Sequence, residues 1–171
     1  MAKKIPLLLT TEAVAKRLGI SRATLQKQFP HLPHVVVQVQ PKRVSRFFPT
    51  AFIETYEAYL QVTNRKAIAG TALAFSHSPI AIKLYAQAVE ELTGAINARE
   101  AHTPKQLGSM LGVDERTIVG WVEKGILRAK RERWQRYKGF QPVTSKSEER
   151  YSQIVVSASE VFRVLHWATP E

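Results

Sequence analysis

The chain has no cysteine and, in 171 residues, a single aspartate, Asp114. The first absence excludes disulfides, thiol nucleophiles and cysteine-ligated zinc, and it fits a reducing, cytosolic setting. The second bears on two-metal nuclease and polymerase chemistry, which needs clustered carboxylates. The glutamates are scattered and supply no such cluster. The histidines offer no ligand set either: His31 and His34 are close, but Pro33 between them prevents a helical i, i+3 pair. No phosphate-binding loop of the GxxxxGK kind occurs, and no tyrosine stands in an arginine and histidine cluster of the recombinase kind. Long hydrophobic runs are missing too. The stretch MAKKIPLLLT is too short for a secretory h-region, and nothing approaches the ~20 apolar residues of a membrane span. These absences predict a cytoplasmic, non-enzymatic protein with no metal, no cofactor, no membrane partner and no small-molecule substrate.

Positive charge is what the chain has in excess. Twenty-five Lys and Arg against 14 Asp and Glu give a net charge of +11, which points to a polyanionic partner. The surplus sits at the two ends: nine bases and three acids in residues 1–60, four and three in 61–101, twelve and eight in 102–171. Hydrophobic residues make up 44%, enough for packed cores in one ordinary domain or two small ones of about 60 residues.

A pattern occurs twice. LGISRATLQKQF at residues 18–29 is matched by LGVDERTIVGWV at 111–122. In the first copy Thr10 is a good N-cap, Glu12 suits the first turn, and Gly19 ends the helix because glycine enters the left-handed conformation without steric cost. Ile20 fills the corner, and Ser21 caps a second helix, Ser21–Phe29, with Thr24, Leu25 and Phe29 inward. In the second copy Thr103 and Gln106 form a capping box with Pro104 at the first helical position. Leu107, Leu111, Gly112, Val113, Asp114, Thr117, Ile118 and Val122 then come in the same register. Agreement at the turn, corner, cap and core reads as a tandem duplication. The repetition continues beyond each copy. HVVVQVQPKRVSRFF holds two β-rich runs around a polar turn, then PTAFIETYEAYL forms a short amphipathic helix. After the second copy come ILRAKRERW, a long basic connection, RYSQIVV, and a helix SASEVFRVLHW opened by a Ser157–Glu160 capping box.

Helix, turn, helix, hairpin, helix is a winged helix-turn-helix. The units resemble the excisionase and MerR-type winged helix-turn-helix domains, whose first turn commonly reads like LLTTEAVAKRLGISRATL here, across residues 6–60 and 102–168. The departure is the long wing between Trp134 and Arg150. The resemblance implies a mainly α fold with small β-hairpin wings, organised as 1–60 first unit, 61–101 helical linker or dimerisation helix, and 102–171 second unit. It also implies sequence-specific binding of double-stranded DNA, with a nucleoid-associated location when bound. The second helix would enter the major groove, presenting Arg22, Ala23, Gln26 and Lys27 to base edges, while Lys42, Arg43 and Arg46 on the wing meet phosphates. The second unit starts its helix with Asp114 and Glu115, so its contacts shift to Arg116 and to Lys130, Arg131 and Arg133 in a basic wing that also holds Trp134 and Tyr137. Between the units, Ser78 and Pro79 start a helix. Its Ile82, Tyr85, Val89, Leu92 and Ile96 fall at spacings of three and four, either a homodimer seam or a face packed on the winged units. The roles consistent with this are transcription regulation or an accessory part in recombination or plasmid maintenance. The alternatives are a small terminase-type phage packaging subunit and an adaptor for protein or RNA.

Overall fold

The computed structural model describes residues 5–135, 139–142 and 153–168. β1 (Leu8–Thr10) leads into α1 (Thr11–Leu18), capped by Thr10, whose hydroxyl accepts the Ala13 N–H at 3.2 Å. Gly19 ends α1 at φ 66°, and Ser21 caps α2 (Arg22–Gln26) by accepting the Thr24 N–H at 3.2 Å. α2 is shorter than the Ser21–Phe29 helix expected from the sequence. Pro30 has no N–H for the Gln26 carbonyl and disfavours the α conformation at Phe29, so Phe29–His31 turn as a 3-10 helix instead. The hairpin of β2 (His34–Gln40) and β3 (Arg43–Pro49) comes next, then α3 (Thr50–Thr63). Residues 61–77, which show no decisive period, contain α4 (Ala69–Ser76), held by Phe75 against the rings of Phe52, Tyr56 and Tyr59. Ser78 then caps α5 (Pro79–Asn97).

The second unit repeats the local geometry. β4 (Ala101–His102) precedes α6 (Pro104–Leu111), which opens with the Thr103–Gln106 capping box and ends at Gly112 with φ 72°. Asp114 caps α7 (Glu115–Glu123). β5 (Lys130–Gln135), β6 (Gly139–Pro142), β7 (Gln153–Ser157), α8 (Ala158–Val164) and β8 (His166–Ala168) complete the described chain. The Ser157–Glu160 box is half made: Ser157 accepts the Glu160 N–H, but the Glu160 carboxylate is engaged elsewhere.

Two four-stranded antiparallel sheets result, ordered β1-β3-β2-β8 and β4-β7-β5-β6. In each, the lead-in strand lies beside the later hairpin strand, which lies beside the earlier one. Only the fourth place differs. In the first sheet it is taken by β8, which pairs His34 with Ala168 and Val36 with His166. The helix expected over SASEVFRVLHW therefore stops at Val164, and the residues after it cover the open edge of β2.

Strand alternation splits the first sheet between two cores. Val35 and its register partner Phe47 join a core shared with Leu107, Ile118 and Trp121 of the second unit. Phe48 and His34, ring centroids 5.3 Å apart, face the other way, toward α2 and α3. The division at 60/61 and 101/102 is therefore crossed by both packing and strand pairing. Part of the expected dimer seam on α5 turns inward. Leu92 and Ile96 are 3% and 1% exposed in the shared core, Tyr85 meets Trp167 edge-on at 5.5 Å, Val89 is half-buried, and only Ile82 is largely open at 60%. The reason is length: α8 has 7 residues where α3 has 14, and α5 supplies the apolar surface that α8 lacks.

The two turn glycines separate conformational strain from crowding. A Cβ at Gly19 meets nothing within 4 Å, whereas at Gly112 it would lie 2.7 Å from the Leu8 carbonyl oxygen of β1. Gly19→Ala is expected to cost about 1 kcal/mol, the left-handed penalty alone. Gly112→Ala should cost about 2 kcal/mol or more, because the turn must also move off β1. Urea unfolding of both variants checks the order; equal losses would mean that the Gly112 turn shifts without resistance.

Candidate nucleic-acid interface

α2 exposes Arg22, Ala23, Gln26 and Lys27 while Leu25 is fully buried. Arg22 and Gln26, four residues apart on a helix, share a face. The platform beneath is held by a buried polar group that the sequence reading missed. Gln28 is 0% exposed; its amide donates to the Ala67 carbonyl at 2.9 Å and accepts from the Tyr56 hydroxyl at 2.9 Å. Burial pushes the Tyr56 phenol well above its ordinary pKa, which keeps it a donor. At the same place in the repeat stands Trp121, buried and edge-on to Phe47 at 6.0 Å. The constant offset of the two copies and the i+3 spacing from Ile118 were the available signals for it.

The hairpin carries Lys42 and Arg43 exposed, and Arg46 half-buried with its guanidinium 4.9 Å from the Phe29 ring centroid. That cation–π contact ties the wing to the turn after α2. Arg22 and Arg43 line one cleft of about 220 Å³, to which Arg46 contributes from β3 while its guanidinium is held over Phe29 on the opposite face of the strand. Its remaining walls include Thr11, Ser45 and Glu12 on the first unit and Thr117 with Trp121 on α7 of the second. α2 through Arg22 and α7 through Thr117 and Trp121 thus open on the same space, with β3 along it. No described carboxylate lies within ion-pair distance of these three arginines. Arg17 is different: it bonds Glu57 at 2.7 Å and Glu54 at 3.4 Å, fixing α1 to α3. Guanidinium and hydroxyl groups lining an open cleft suit an anion with several acceptor oxygens.

Arg116 is exposed at the start of α7, beside Glu115 and the capping Asp114, whose carboxylate accepts the Arg116 N–H at 2.8 Å. Lys130 and Arg131 are exposed on β5 but, as strand neighbours, point to opposite faces. Arg133 pairs its backbone with Gln141; its side chain and that of Trp134 lie outside the described residues, as do Tyr137 and most of the long wing. The lead into β5 is clamped from α8. Glu160, 8% exposed, accepts the Arg128 N–H at 2.9 Å and bonds the Arg163 guanidinium, which also donates to the Ile126 carbonyl at 3.2 Å. The hydrogen bond from Arg163 holds the Glu160 carboxyl down at about 2, against desolvation, with the Arg128 N–H helping. Among the described residues, no group of three His, Asp or Glu is placed to hold a metal, and no helix is long and apolar enough to cross a membrane.

A carboxyl whose pKa is lowered on folding stabilises above its ordinary pKa and loses that contribution as pH falls through its folded value. The clamp should therefore be complete at pH 6 and weaken progressively between about pH 4.5 and 2. Glu160→Gln is expected to raise amide exchange at Ile126–Arg128 at neutral pH and to flatten this acid dependence. Exchange rates identical to those of the parent chain would show that the clamp does not hold the segment.

No protein-family model, no curated protein and no solved structure matches the chain.

Proposed function

We propose that the chain is a non-enzymatic, sequence-specific double-stranded DNA-binding protein built from two winged helix-turn-helix units. Its fitting roles are transcription regulation or an accessory part in recombination or plasmid maintenance. The observation that carries this is the cleft in which Arg22 and Arg43, with no ion-pair partner among the described residues, meet at the exposed end of α2. In this reading α2 lies in the major groove. Arg22 bonds guanine, Gln26 bonds adenine and Ala23 meets a thymine methyl, while Lys42 and Arg43 hold the adjacent phosphates. Leu92 and Ile96 of the α5 face are spent on the shared core, so a homodimer, which remains part of the proposal, would rest on the Ile82 end of that face.

Selection from a random duplex library tests it: a recovered motif is expected, and equal recovery of all sequences would sink the reading. Arg22→Ala and Gln26→Ala should each cost about 1–3 kcal/mol on the recovered site and relax preference at one or two positions, leaving non-specific binding nearly intact. Changing a helix residue that touches only solvent would leave the motif as it was.

The second wing contributes electrostatic attraction that carries little sequence information. Because Lys130 and Arg131 point to opposite faces, only one of them should sit on the phosphate side. Replacing that one by Ala is expected to reduce the slope of log affinity against log salt by about 0.9, and replacing the other to leave it unchanged. Two unchanged slopes would take this wing out of the interface.

A further inference from the structure

A second cavity, away from the arginine cleft, lies where the chain before β1, the end of α5 and helix α6 meet. Its volume is about 540 Å³, in the size range of pockets that enclose small organic ligands. Its floor is apolar, from Ile5, Leu7, Ala95, Ala98 and Met110. Its polar groups are Arg99, Lys105, Gln106, Ser109 and His102, and among the described residues no carboxylate lines it.

Most of those groups can donate hydrogen bonds to an anion. Arg99 and Lys105 are exposed cations that can only donate. Gln106 spends its carbonyl oxygen on the Thr103 N–H at 3.0 Å, closing the capping box, and is left with its NH₂ group. The Ser109 hydroxyl can donate to any acceptor. His102 is 2% exposed and is fixed by donating from Nε2 to the Ile96 carbonyl at 2.7 Å, so its ring is a rigid wall. A rim of donors and two cations around an apolar floor selects for a ligand with a compact negative head and an apolar body.

We propose that this cavity binds a small monoanionic amphiphile, an apolar body carrying one carboxylate. The carboxylate sits between Arg99 and Lys105 with the Gln106 amide and Ser109 hydroxyl as further donors, and the body lies on Leu7, Ala95 and Met110. Such a ligand would touch α5 and α6 together, and it is distinct from the polyanion of the arginine cleft.

Phenylbutyrate, phenylbutanol and phenylbutylamine share one skeleton and differ only in the head group, so calorimetric titration of the full chain with each isolates the charge. Phenylbutyrate is expected to bind with one site per chain, about tenfold or more tighter than the alcohol, the scale of one charge-assisted hydrogen bond, with the amine weakest. The double variant Arg99→Ala/Lys105→Ala alters two exposed side chains and should fold normally; it should bring the acid down to the level of the alcohol. Ser109→Trp, which fills the cavity from an exposed helix position, should abolish binding of both. Lys42→Ala/Arg43→Ala serves as the control for diffuse charge and should leave phenylbutyrate binding unchanged. Equal affinity for acid, alcohol and amine would overturn the proposal. So would the absence of binding by all three at millimolar concentration, or a loss in the control as large as in the Arg99/Lys105 variant.

Discussion

Everything in this molecule leans on one sheet being buried on both faces. Val35, Val37 and Phe47 belong to the core shared with the second unit, while His34 and Phe48 belong to the side of α2 and α3. Side chains alternate with a period of two, so a one-residue slip of β2 against β3 would exchange the two sets. Each core therefore enforces the register that the other requires. The sheet is a shared wall, and the helices on either side are positioned by it.

That wall limits where the proposed polyanion could approach. The hairpin faces are occupied, which leaves its tip and the open stretch of β3 beyond β1, where Arg22 and Arg43 line the cleft. The cationic residues divide by what they touch. Arg17 and Arg163 are held by carboxylates and act as internal fasteners, whereas the cleft arginines have none among the described residues. An ion-paired arginine would have to break an existing contact before meeting a phosphate. The free ones are already available, and that difference weighs more than the overall charge of the chain.

The features legible in the sequence were those settled within a few residues. Thr10, Ser21, Thr103 and Asp114 cap helices, and Gly19 and Gly112 turn left-handed, because caps and turns depend on local chemistry. The features that escaped depend on distant partners. Gln28 reads as one more polar residue on an exposed helix until Tyr56 and the Ala67 carbonyl arrive to satisfy it. The spacing of Leu92 and Ile96 is the same whether the surface they meet belongs to another chain or to this one. For the cleft, the residue types were legible at Arg22 and Arg43, but their meeting with Thr117 and Trp121 was not, because it depends on how the second unit lies on the first sheet.

The pairing of β8 with β2 also sets an order of assembly. His34 finds Ala168 across most of the described chain, the kind of high-separation contact that raises contact order and slows folding. As the chain emerges from a ribosome, the first sheet has three of its strands early, with the edge of β2 left open. That edge closes only after α8 has formed and delivered residues 166–168. Until then the unpaired strand is a template for any extended segment nearby, so the chain is open to edge-to-edge association until residues 166–168 are in place.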